Sequence, residues 1–205
     1  MKKVIIFDFD GTVADTLDIA IQVASTYARQ VNPVLMNKKN LRSMTMREVF
    51  RAFNITLFHI PFFLHKYRSE LSKQILTVPI ATKDLSLILR ALHKKHILGV
   101  LTSNSAKNVR AFLIKNKLNY FDFIYAENTV FGKQHMLKHL MNKHRFKPEQ
   151  TYYVGDETRD IDAARKAGIT SVAVAWGFNE RKLLAKYQPD FLLNNPKALL
   201  KIFSR

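Results

Sequence analysis

Cysteine is absent from this chain of 205 residues. Without a thiol, the chain can form no disulfide bond, no thiolate zinc site and no catalytic cysteine. Nothing in the composition indicates an oxidising compartment. Any nucleophile or metal ligand must therefore come from other side chains.

Long hydrophobic runs are also lacking. A short apolar run follows two lysines at the N-terminus, but it is too short for a signal sequence and it ends in Asp8. The longest other apolar stretch, residues 55–64, contains His59 and Pro61 and is too short to span a bilayer. We therefore expect no membrane segment and a cytoplasmic location.

Acidic residues are scarce, since 16 Asp and Glu stand against 33 Lys and Arg and give a net charge of +17. A surplus of this size favours anionic partners. The basic residues are spread along the chain, without an arginine-rich arm or an RNP-like or zinc-finger pattern, so nucleic acid is not the expected partner. Two interpretations stay open: solvated basic helix faces, or attraction of phosphorylated substrates. A monomer and a homodimer are both compatible with the sequence.

Hydrophobic residues make up 47% of the chain, which is enough for a substantial core. An apolar run from Val4 to Phe7 leads directly into Asp8-Phe9-Asp10-Gly11-Thr12. A short apolar run that ends near a glycine predicts a buried strand. Ligands of an open α/β sheet bind at the carboxyl ends of its strands. The sequence therefore predicts two carboxylates at the active edge of a sheet.

Residues 15–80 have helical periodicity. Helices are predicted over residues 15–31, where Asn32-Pro33 should end the helix, over 41–53, and over about 61–76 with Pro61 in the first turn. Many of the aromatic residues lie in this segment, which predicts a helical insertion with a small core of its own: Phe50, Phe53, Phe58, Phe62, Phe63 and Tyr67.

From residue 81 onward, helical and strand patterns alternate. Strands are predicted at 97–102, 123–126, 151–154, 171–176 and 191–193, and helices over 84–95, 105–116, 133–144, 160–167 and from 196. This alternation predicts right-handed βαβ units and a parallel sheet. The predicted fold is α/β: a doubly wound, Rossmann-like core of residues 1–14 and 81–205, with an all-helical cap domain of residues 15–80.

Polar side chains follow three of the predicted strands. They are Asp8 and Asp10 after the first strand, Thr102, Ser103 and Asn104 after the second, and Asp156, Glu157 and Asp160 after the strand at 151–154. Lys133 lies at the start of a predicted helix, after Gly132. Closely packed acids repel one another unless a cation joins them, and an oxygen-only ligand set favours Mg²⁺.

These motifs, in this order, resemble those of the haloacid dehalogenase superfamily: Asp8-Phe9-Asp10-Gly11-Thr12, Leu101-Thr102-Ser103-Asn104, Lys133, and Gly155-Asp156-Glu157-Thr158-Arg159-Asp160. The resemblance covers the whole chain. It implies the HAD-like α/β fold, and the helical insertion matches the first cap type of the superfamily, as in phosphoglycolate phosphatase-like members.

The resemblance implies a role for each acid of the first motif. Asp8 would be the nucleophile that forms an aspartyl-phosphate, and it would act without a base because an aspartate is ionised at neutral pH. Asp10 would protonate the leaving alkoxide and then deprotonate water, and its backbone carbonyl would face the metal. An aspartate at this position favours phosphate ester chemistry over dehalogenation. Gly11 would let the chain turn, and Thr12 would support that turn.

The other motifs would supply the remaining parts of the site. Ser103 and Asn104 would bind the substrate phosphate, with free backbone amides near Asn104 and Ser105 as further donors. Lys133 would bind the phosphoryl group and neutralise charge on it and on Asp8. Mg²⁺ would be held by Asp8, Asp10 and Asp156. Thr12 would support these groups without binding the metal itself, and Asp160 would either orient them or bind the metal through water. Glu157 lies at a position that varies within the superfamily, so no role is predicted for it.

The leading hypothesis is a Mg²⁺-dependent phosphatase that hydrolyses small phosphorylated metabolites, with the cap closing over the site. One alternative is a phosphomutase that passes the phosphoryl group of the same intermediate to a sugar phosphate. Another is a non-catalytic basic protein with a binding or regulatory role. The sequence does not select the substrate, because specificity resides in the cap.

Overall fold

The computed structural model describes residues 2–27, 37–126 and 132–203. The helix end predicted at Asn32-Pro33 lies outside the described residues. Six parallel strands form one sheet in the order β3-β2-β1-β4-β5-β6. The strands are β1 (Val4–Phe7), β2 (Ile97–Thr102), β3 (Phe123–Ala126), β4 (Thr151–Gly155), β5 (Thr170–Val174) and β6 (Phe191–Leu193). The predicted parallel α/β sheet is confirmed.

Strand β1 occupies the centre of the sheet because all four of its residues are buried and can be covered on both faces. Phe7 is aligned with Val100 of β2 on one side and with Val154 of β4 on the other. The chain builds outward to β3 and then returns to β4 on the opposite side of β1. Such a reversal of strand order creates the crevice in which open α/β sheets bind their ligands.

Helices cover both faces of the sheet. Ile5 and Phe7 face a large apolar cluster that includes residues of α5, α6 and α10, whereas Val4 and Ile6 face a second cluster with α7 and α8. The helices after β1 are α1 (Leu17–Ser25), α2 (Lys38–Arg42), α3 (Met46–Ala52), α4 (Ile60–Gln74) and α5 (Leu85–His93). The later ones are α6 (Ala106–Lys115), α7 (Lys133–His144), α8 (Thr158–Ala167), α9 (Arg181–Lys186) and α10 (Lys197–Phe203).

Three helical predictions differ from the structure. The helix predicted over 15–31 already ends at Ser25, where the chain passes into a turn. The helix predicted over 41–53 is divided into α2 and α3, because Thr45 caps α3 through a reciprocal hydrogen-bonded box with Glu48. Helix α9 was missed, since its six residues are too few to show a helical period. Helix α8 ends at Gly168, whose positive φ of 74° is the left-handed conformation typical of a C-cap glycine.

The helical segment between β1 and β2 leaves and re-enters the core at one place. The Asp15 amide donates to the Pro79 carbonyl at 3.0 Å, and the Ala81 amide donates to the Val13 carbonyl at 3.0 Å. This crossing coincides with the predicted boundaries of the cap at residues 15 and 80. The division into two domains stays a prediction.

The expectation that the cap has a separate core is wrong. Phe50, Phe53 and Phe63 belong to the same apolar cluster as Phe7 and Phe9 of the first motif region. One continuous cluster removes more apolar surface from water than a small separate core could. Two of the aromatics assigned to that core, Phe58 and Phe62, are instead exposed to 87% and 69%.

Among the described residues, no helix combines the length and the apolar character needed to cross a membrane.

Candidate active site

Asp8 is the first residue after β1, and the sheet fixes its position. Its backbone amide donates to the Val154 carbonyl at 2.8 Å, which extends the β1–β4 ladder by one residue. The side chain is buried, and its Oδ2 atom lies 2.7 Å from Nζ of Lys133. A buried carboxylate is therefore held at the carboxyl end of the central strand with a lysine as its partner.

Lys133 joins two acids from different elements. It is the first residue of α7, is itself buried, and its Nζ lies 2.6 Å from Oδ1 of Asp160 in α8. The other Asp160 oxygen accepts the Glu157 amide at 3.0 Å, which fixes Asp160 at the start of α8. Burial alone would lower the pKa of Lys133, but the negative charges of Asp160 and Asp8 raise it by a larger amount. The pKa therefore lies above its ordinary value, and the lysine stays charged.

Asp156 follows β4 and is fully buried. Its Oδ1 accepts the Thr12 hydroxyl at 2.5 Å, and its Oδ2 accepts the Phe178 amide at 2.6 Å. Thr12 therefore orients an acid of a neighbouring strand and does not only support its own turn. Gly11, with a φ of +78°, brings the backbone so close that a Cβ atom there would collide with the Asp156 carboxylate.

Three of these carboxylates form one cluster. Oxygens of Asp8, Asp156 and Asp160 all lie within 4.8 Å of one another, and all three residues are buried. The pKa of Asp8 is raised to about 7, mainly by burial. The positive charge of Lys133 lowers this pKa, and the negative charge of Asp160 raises it. Burial and then the charges of Glu157 and Asp8 raise the pKa of Asp156 well above its ordinary value. With one lysine among three acids, the cluster has an excess of negative charge.

This result corrects one premise of the sequence analysis. Asp8 was expected to be ionised at neutral pH, but burial raises its pKa to about 7, which favours the protonated form more than in a free aspartate. A divalent cation beside the carboxylates would restore the ionised form. The cluster therefore fits a cation on physical grounds, and its oxygen-only donors fit a hard ion such as Mg²⁺.

Asp10 points away from this cluster toward the cap. Its Oδ1 accepts the hydroxyl of Tyr67, in α4, at 2.6 Å, and the Asn104 side-chain amide donates to its two oxygens at 3.1 and 3.2 Å. Burial raises the pKa of Asp10, and the hydrogen bonds from Tyr67 and Asn104 offset part of that rise. An acid whose pKa is raised in this way holds a proton more readily than a free aspartate does, as a general acid must. The side chain of Asp10 does not belong to the carboxylate cluster.

The second motif differs in one respect from the expectation. The Asn104 amide donates to Oγ1 of Thr102 at 2.9 Å, and the Ser105 amide donates to the Asn104 side chain at 2.7 Å, so neither is free for a phosphate. Asn104 itself is directed at Asp10. The Ser103 carbonyl accepts the guanidinium of Arg68 from α4, with Nε at 2.9 Å.

Comparison with known proteins identifies the family. Residues 5–174 match the model of the haloacid dehalogenase-like hydrolase family, which is most of the chain. The chain belongs to the haloacid dehalogenase-like hydrolases. The predicted resemblance is therefore confirmed, and the chain is an enzyme of a hydrolase family.

Two curated relatives span nearly the full chain. A phosphoglycolate phosphatase from Synechococcus elongatus is 32% identical over 203 residues, which covers 97% of this chain and 96% of the relative. Pyrophosphatase PpaX from Anoxybacillus flavithermus is 29% identical over 221 residues, covering 97% and 95%.

Two solved structures have the same fold as this chain. A haloacid dehalogenase-like hydrolase from Streptococcus pneumoniae superposes with a TM-score of 0.77 at 25% identity, and 98% of each chain is covered. A predicted phosphatase from Clostridium acetobutylicum superposes with a TM-score of 0.81 at 20% identity, again over 98% of each chain, which supports the fold alone.

As in the motif pattern of these hydrolases, the structure brings Asp8, Lys133, Asp156 and Asp160 together at one edge of the sheet, with Thr12 hydrogen-bonded to Asp156. The roles assigned to these residues remain predictions. The sequence analysis missed Tyr67 and Arg68, the two adjacent cap residues that contact the first and second motifs. Tyr67 was assigned to the cap core by its helical spacing, and nothing in a helical pattern indicates which hydroxyl reaches a distant carboxylate.

Two openings lie between the cap and the core. The first is a cavity of about 80 Å³ that reaches Asp10, Tyr67 and Ser103 and is otherwise lined mainly by apolar residues of α1, α3 and α4. The second is a cleft of about 460 Å³ on the side of Lys133, where Arg47 of α3 and Lys166 of α8 contribute positive charge.

Proposed function

We propose that the protein is a Mg²⁺-dependent phosphatase that hydrolyses small phosphomonoesters through an aspartyl-phosphate on Asp8. The observation that carries the proposal is the separation of the two acids of the first motif. Asp8 lies with Lys133 and the carboxylate cluster, whereas Asp10 is turned toward Tyr67 and Asn104. Asp8 is therefore placed to bond to phosphorus, and Asp10 is placed to donate and accept protons.

In the first step, a carboxylate oxygen of Asp8 attacks phosphorus and the bond from phosphorus to the ester oxygen breaks. Asp10 gives its proton to the departing oxygen, which leaves as an alcohol. In the second step, Asp10 takes a proton from water, and the resulting hydroxide oxygen bonds to phosphorus. The aspartyl–phosphorus bond breaks, which releases phosphate and returns Asp8 as a carboxylate.

The remaining residues hold the reacting groups. Lys133 and the hydroxyl of Ser103 would bind the phosphoryl oxygens, and Lys133 also holds Asp8 in place. Asn104 would act through Asp10, because its amide donates to that carboxylate. Asp8, Asp156 and the backbone carbonyl of Asp10 would hold the cation, with Asp160 and Thr12 orienting its ligands. The ion would supply positive charge that favours the ionised form of Asp8 and offsets charge on the phosphoryl group.

The test is the release of inorganic phosphate from an aryl phosphate by the purified protein, with added Mg²⁺ and after removal of metal with EDTA. Asp8→Asn should reduce turnover by at least about a thousandfold. The control variant Asp84→Asn changes an aspartate at the start of α5, outside the candidate site, and should leave turnover unchanged. Turnover that survives Asp8→Asn or needs no divalent metal would contradict the mechanism.

The intermediate can be sought directly. The wild-type protein, quenched in acid during turnover, should gain the mass of one phosphoryl group, and hydroxylamine should remove it because it attacks acyl phosphates. A labelled protein that transfers its phosphoryl group to a sugar phosphate faster than to water would instead support the phosphomutase alternative. Phosphoglycolate and pyrophosphate, which the names of the two relatives suggest, belong in the first substrate panel.

A further inference from the structure

We infer that the preferred substrate is the phosphomonoester of a short apolar alcohol, whose hydrocarbon group occupies the small cavity beside Asp10. This inference rests on the proposed function, because it concerns the leaving group of the same reaction. It follows from the position of the cavity, the chemistry of its lining and its volume.

The position of the cavity assigns it to the leaving group. A general acid must lie within hydrogen-bond reach of the atom that it protonates, so the alcohol part of the ester has to lie next to Asp10. The cavity is lined by Asp10 and by Ser103 of the second motif, whereas Lys133 borders the other opening. An ester whose phosphate lies between Asp8 and Ser103 would therefore direct its alcohol into this cavity.

The lining is apolar on the cap side. Side chains from three cap helices, α1, α3 and α4, and from the loop between α2 and α3 contribute to it: Leu17, Ala20, Ile21, Met44, Phe50 and Leu64. Phe50 and Leu64 are almost fully buried, so these walls belong to the apolar cluster that cap and core share. Hydrocarbon placed against such walls is removed from water, which favours binding in proportion to the area buried.

Three polar groups of the lining, on Tyr67, Glu157 and Asn179, already have protein partners. Tyr67 donates to Asp10, Glu157 pairs with Arg159 at 2.6 Å, and the Asn179 side chain contacts the Met44 carbonyl and the Thr158 amide. A hydroxyl-rich or anionic alcohol would have to compete with these partners. The carboxylates of Asp10 and Glu157 would also repel a second negative charge, and Arg159, the cation of the lining, is already paired with Glu157.

The volume limits the size of the group. A cavity of about 150 Å³ accommodates benzene, so one of about 80 Å³ holds roughly three carbon atoms. Propyl phosphate is therefore the expected optimum among unbranched alkyl phosphates, and phosphoglycolate, which carries a carboxylate in place of the hydrocarbon, should be a poorer substrate.

The test compares kcat/KM for methyl, ethyl, propyl and hexyl phosphate with that for phosphoglycolate and pyrophosphate, using the full chain with Mg²⁺. We expect a rise of about fourfold or more for each added methylene up to propyl and no further rise for hexyl. A flat series, or a preference of tenfold or more for phosphoglycolate or pyrophosphate, would overturn the inference. Methyl phosphate, whose alcohol uses almost none of the cavity, separates the two proposals: its hydrolysis without a chain-length effect in its homologues leaves the phosphatase proposal standing, and failure of every phosphomonoester in the series ends both.

Cavity-filling variants give the second readout. Ala20→Leu should shift the optimum toward shorter alcohols, with a loss that grows with chain length, and Ala20→Val should do so to a smaller extent. Ala198→Leu in α10 makes the same change at a partly buried helix position outside the cavity and should leave the series unchanged. An equal loss for all alcohols in both Ala20 variants would contradict the assignment.

A variant in the basic cleft beside Lys133 can contradict the inference. Arg47→Ala should leave kcat/KM for propyl phosphate unchanged, because Arg47 lines the larger opening and not the cavity. A drop of tenfold or more would mean that an anionic part of the substrate is held in that cleft, and the inference would be wrong.

Discussion

At the scale of single residues, the two aspartates of the first motif have different surroundings although they are only two positions apart. Asp8 faces Lys133 and two further acids, and Asp10 faces two neutral donors, Tyr67 and Asn104. Burial raises the pKa of both, but the neighbours differ in sign and number. Environment rather than residue type therefore distinguishes a nucleophile from a proton carrier.

Asp8→Asn should stabilise the protein when no divalent metal is present. The substitution removes one of three clustered carboxylates, while Lys133 keeps Asp160 as its partner at 2.6 Å. In EDTA at about pH 8 we expect the melting temperature to rise by several degrees, roughly the effect of 1–2 kcal/mol on a domain of this size. Thermal unfolding of the variant, wild type and Asp84→Asn measures it. A lower melting temperature for Asp8→Asn alone would contradict the repulsion argument.

Tyr67→Phe should lower kcat most for substrates with poor leaving groups. The variant keeps the ring, which stacks on Phe63 at 6.3 Å, but removes the hydroxyl that holds Asp10. For alkyl phosphates we expect a loss of about tenfold or more, since a hydrogen bond to a charged group is worth about 1.5–3 kcal/mol. Aryl phosphates need less help from an acid and should lose less.

Tyr27→Phe is the matched control, because Tyr27 also packs against Phe63 in the cap. If Tyr67→Phe affects aryl and alkyl phosphates equally, the hydroxyl has only a structural role and the acid assignment of Asp10 loses its support.

At the scale of elements, the site depends on the turn after β1. The chain leaves the strand at Asp8 and turns at Gly11, whose positive φ and lack of a side chain bring Asp156 close. Because β1 is paired with β2 and β4 on its two sides, the acids after β1 and β4 lie at the same edge. One short connection thus sets the spacing of the carboxylate cluster.

Gly11→Ala should destabilise the fold and weaken metal binding beyond the effect of its backbone conformation. A Cβ atom at Gly11 would collide with the Asp156 carboxylate, whereas one at Gly168, with a similar φ of 74°, would meet nothing within 4 Å. We expect Gly168→Ala to cost about 1 kcal/mol and Gly11→Ala at least about 2 kcal/mol. Urea unfolding of both variants measures the difference, and equal losses would show that Asp156 can move aside.

At the scale of the whole molecule, cap and core are packed as one apolar unit around a charged site. The cap rings share a cluster with the central strand, and Tyr67 and Arg68 connect α4 to the first two motifs. The buried acids make folding sensitive to pH and to cations, because the charge excess has to be balanced wherever the cap excludes water.

Stability of the metal-free protein should fall as the pH rises from about 4 to about 7. The pKa of Asp8 is about 7 in the folded state against 3.8 unfolded, so over this interval the folded protein keeps a proton that the unfolded chain has lost. The pKa values of Asp10 and Asp156 are raised as well and act in the same direction. Melting temperatures in EDTA across this pH range measure the effect.

Mg²⁺ should reverse that loss, because it binds the ionised carboxylates only. We expect the increase in melting temperature on adding Mg²⁺ to be larger at about pH 8 than at about pH 5, and to shrink in Asp156→Asn. An increase that is the same at both pH values, or unaffected by Asp156→Asn, would mean that the ion binds elsewhere.

The sequence by itself determined the class of the fold and the position of the charged edge. Periods of two and 3.6 residues, together with glycine and proline, are local signals, so β2, β3 and β6 and helix α7 have the bounds predicted from them. The motifs lie at strand ends, and parallel strands bring their ends to one edge, so Asp8, Lys133 and Asp156 could be expected to meet there.

Only the tertiary structure decided which side chains contact one another. The hydroxyl of Tyr67 reaches Asp10 across 57 residues, and that of Thr12 reaches Asp156 across 144 residues. The hydrophobic periodicity of the sequence cannot predict such contacts, because they depend on how α4 packs on the core and on the turn at Gly11. The pKa of Asp8 follows from the same packing, since burial is its largest cause.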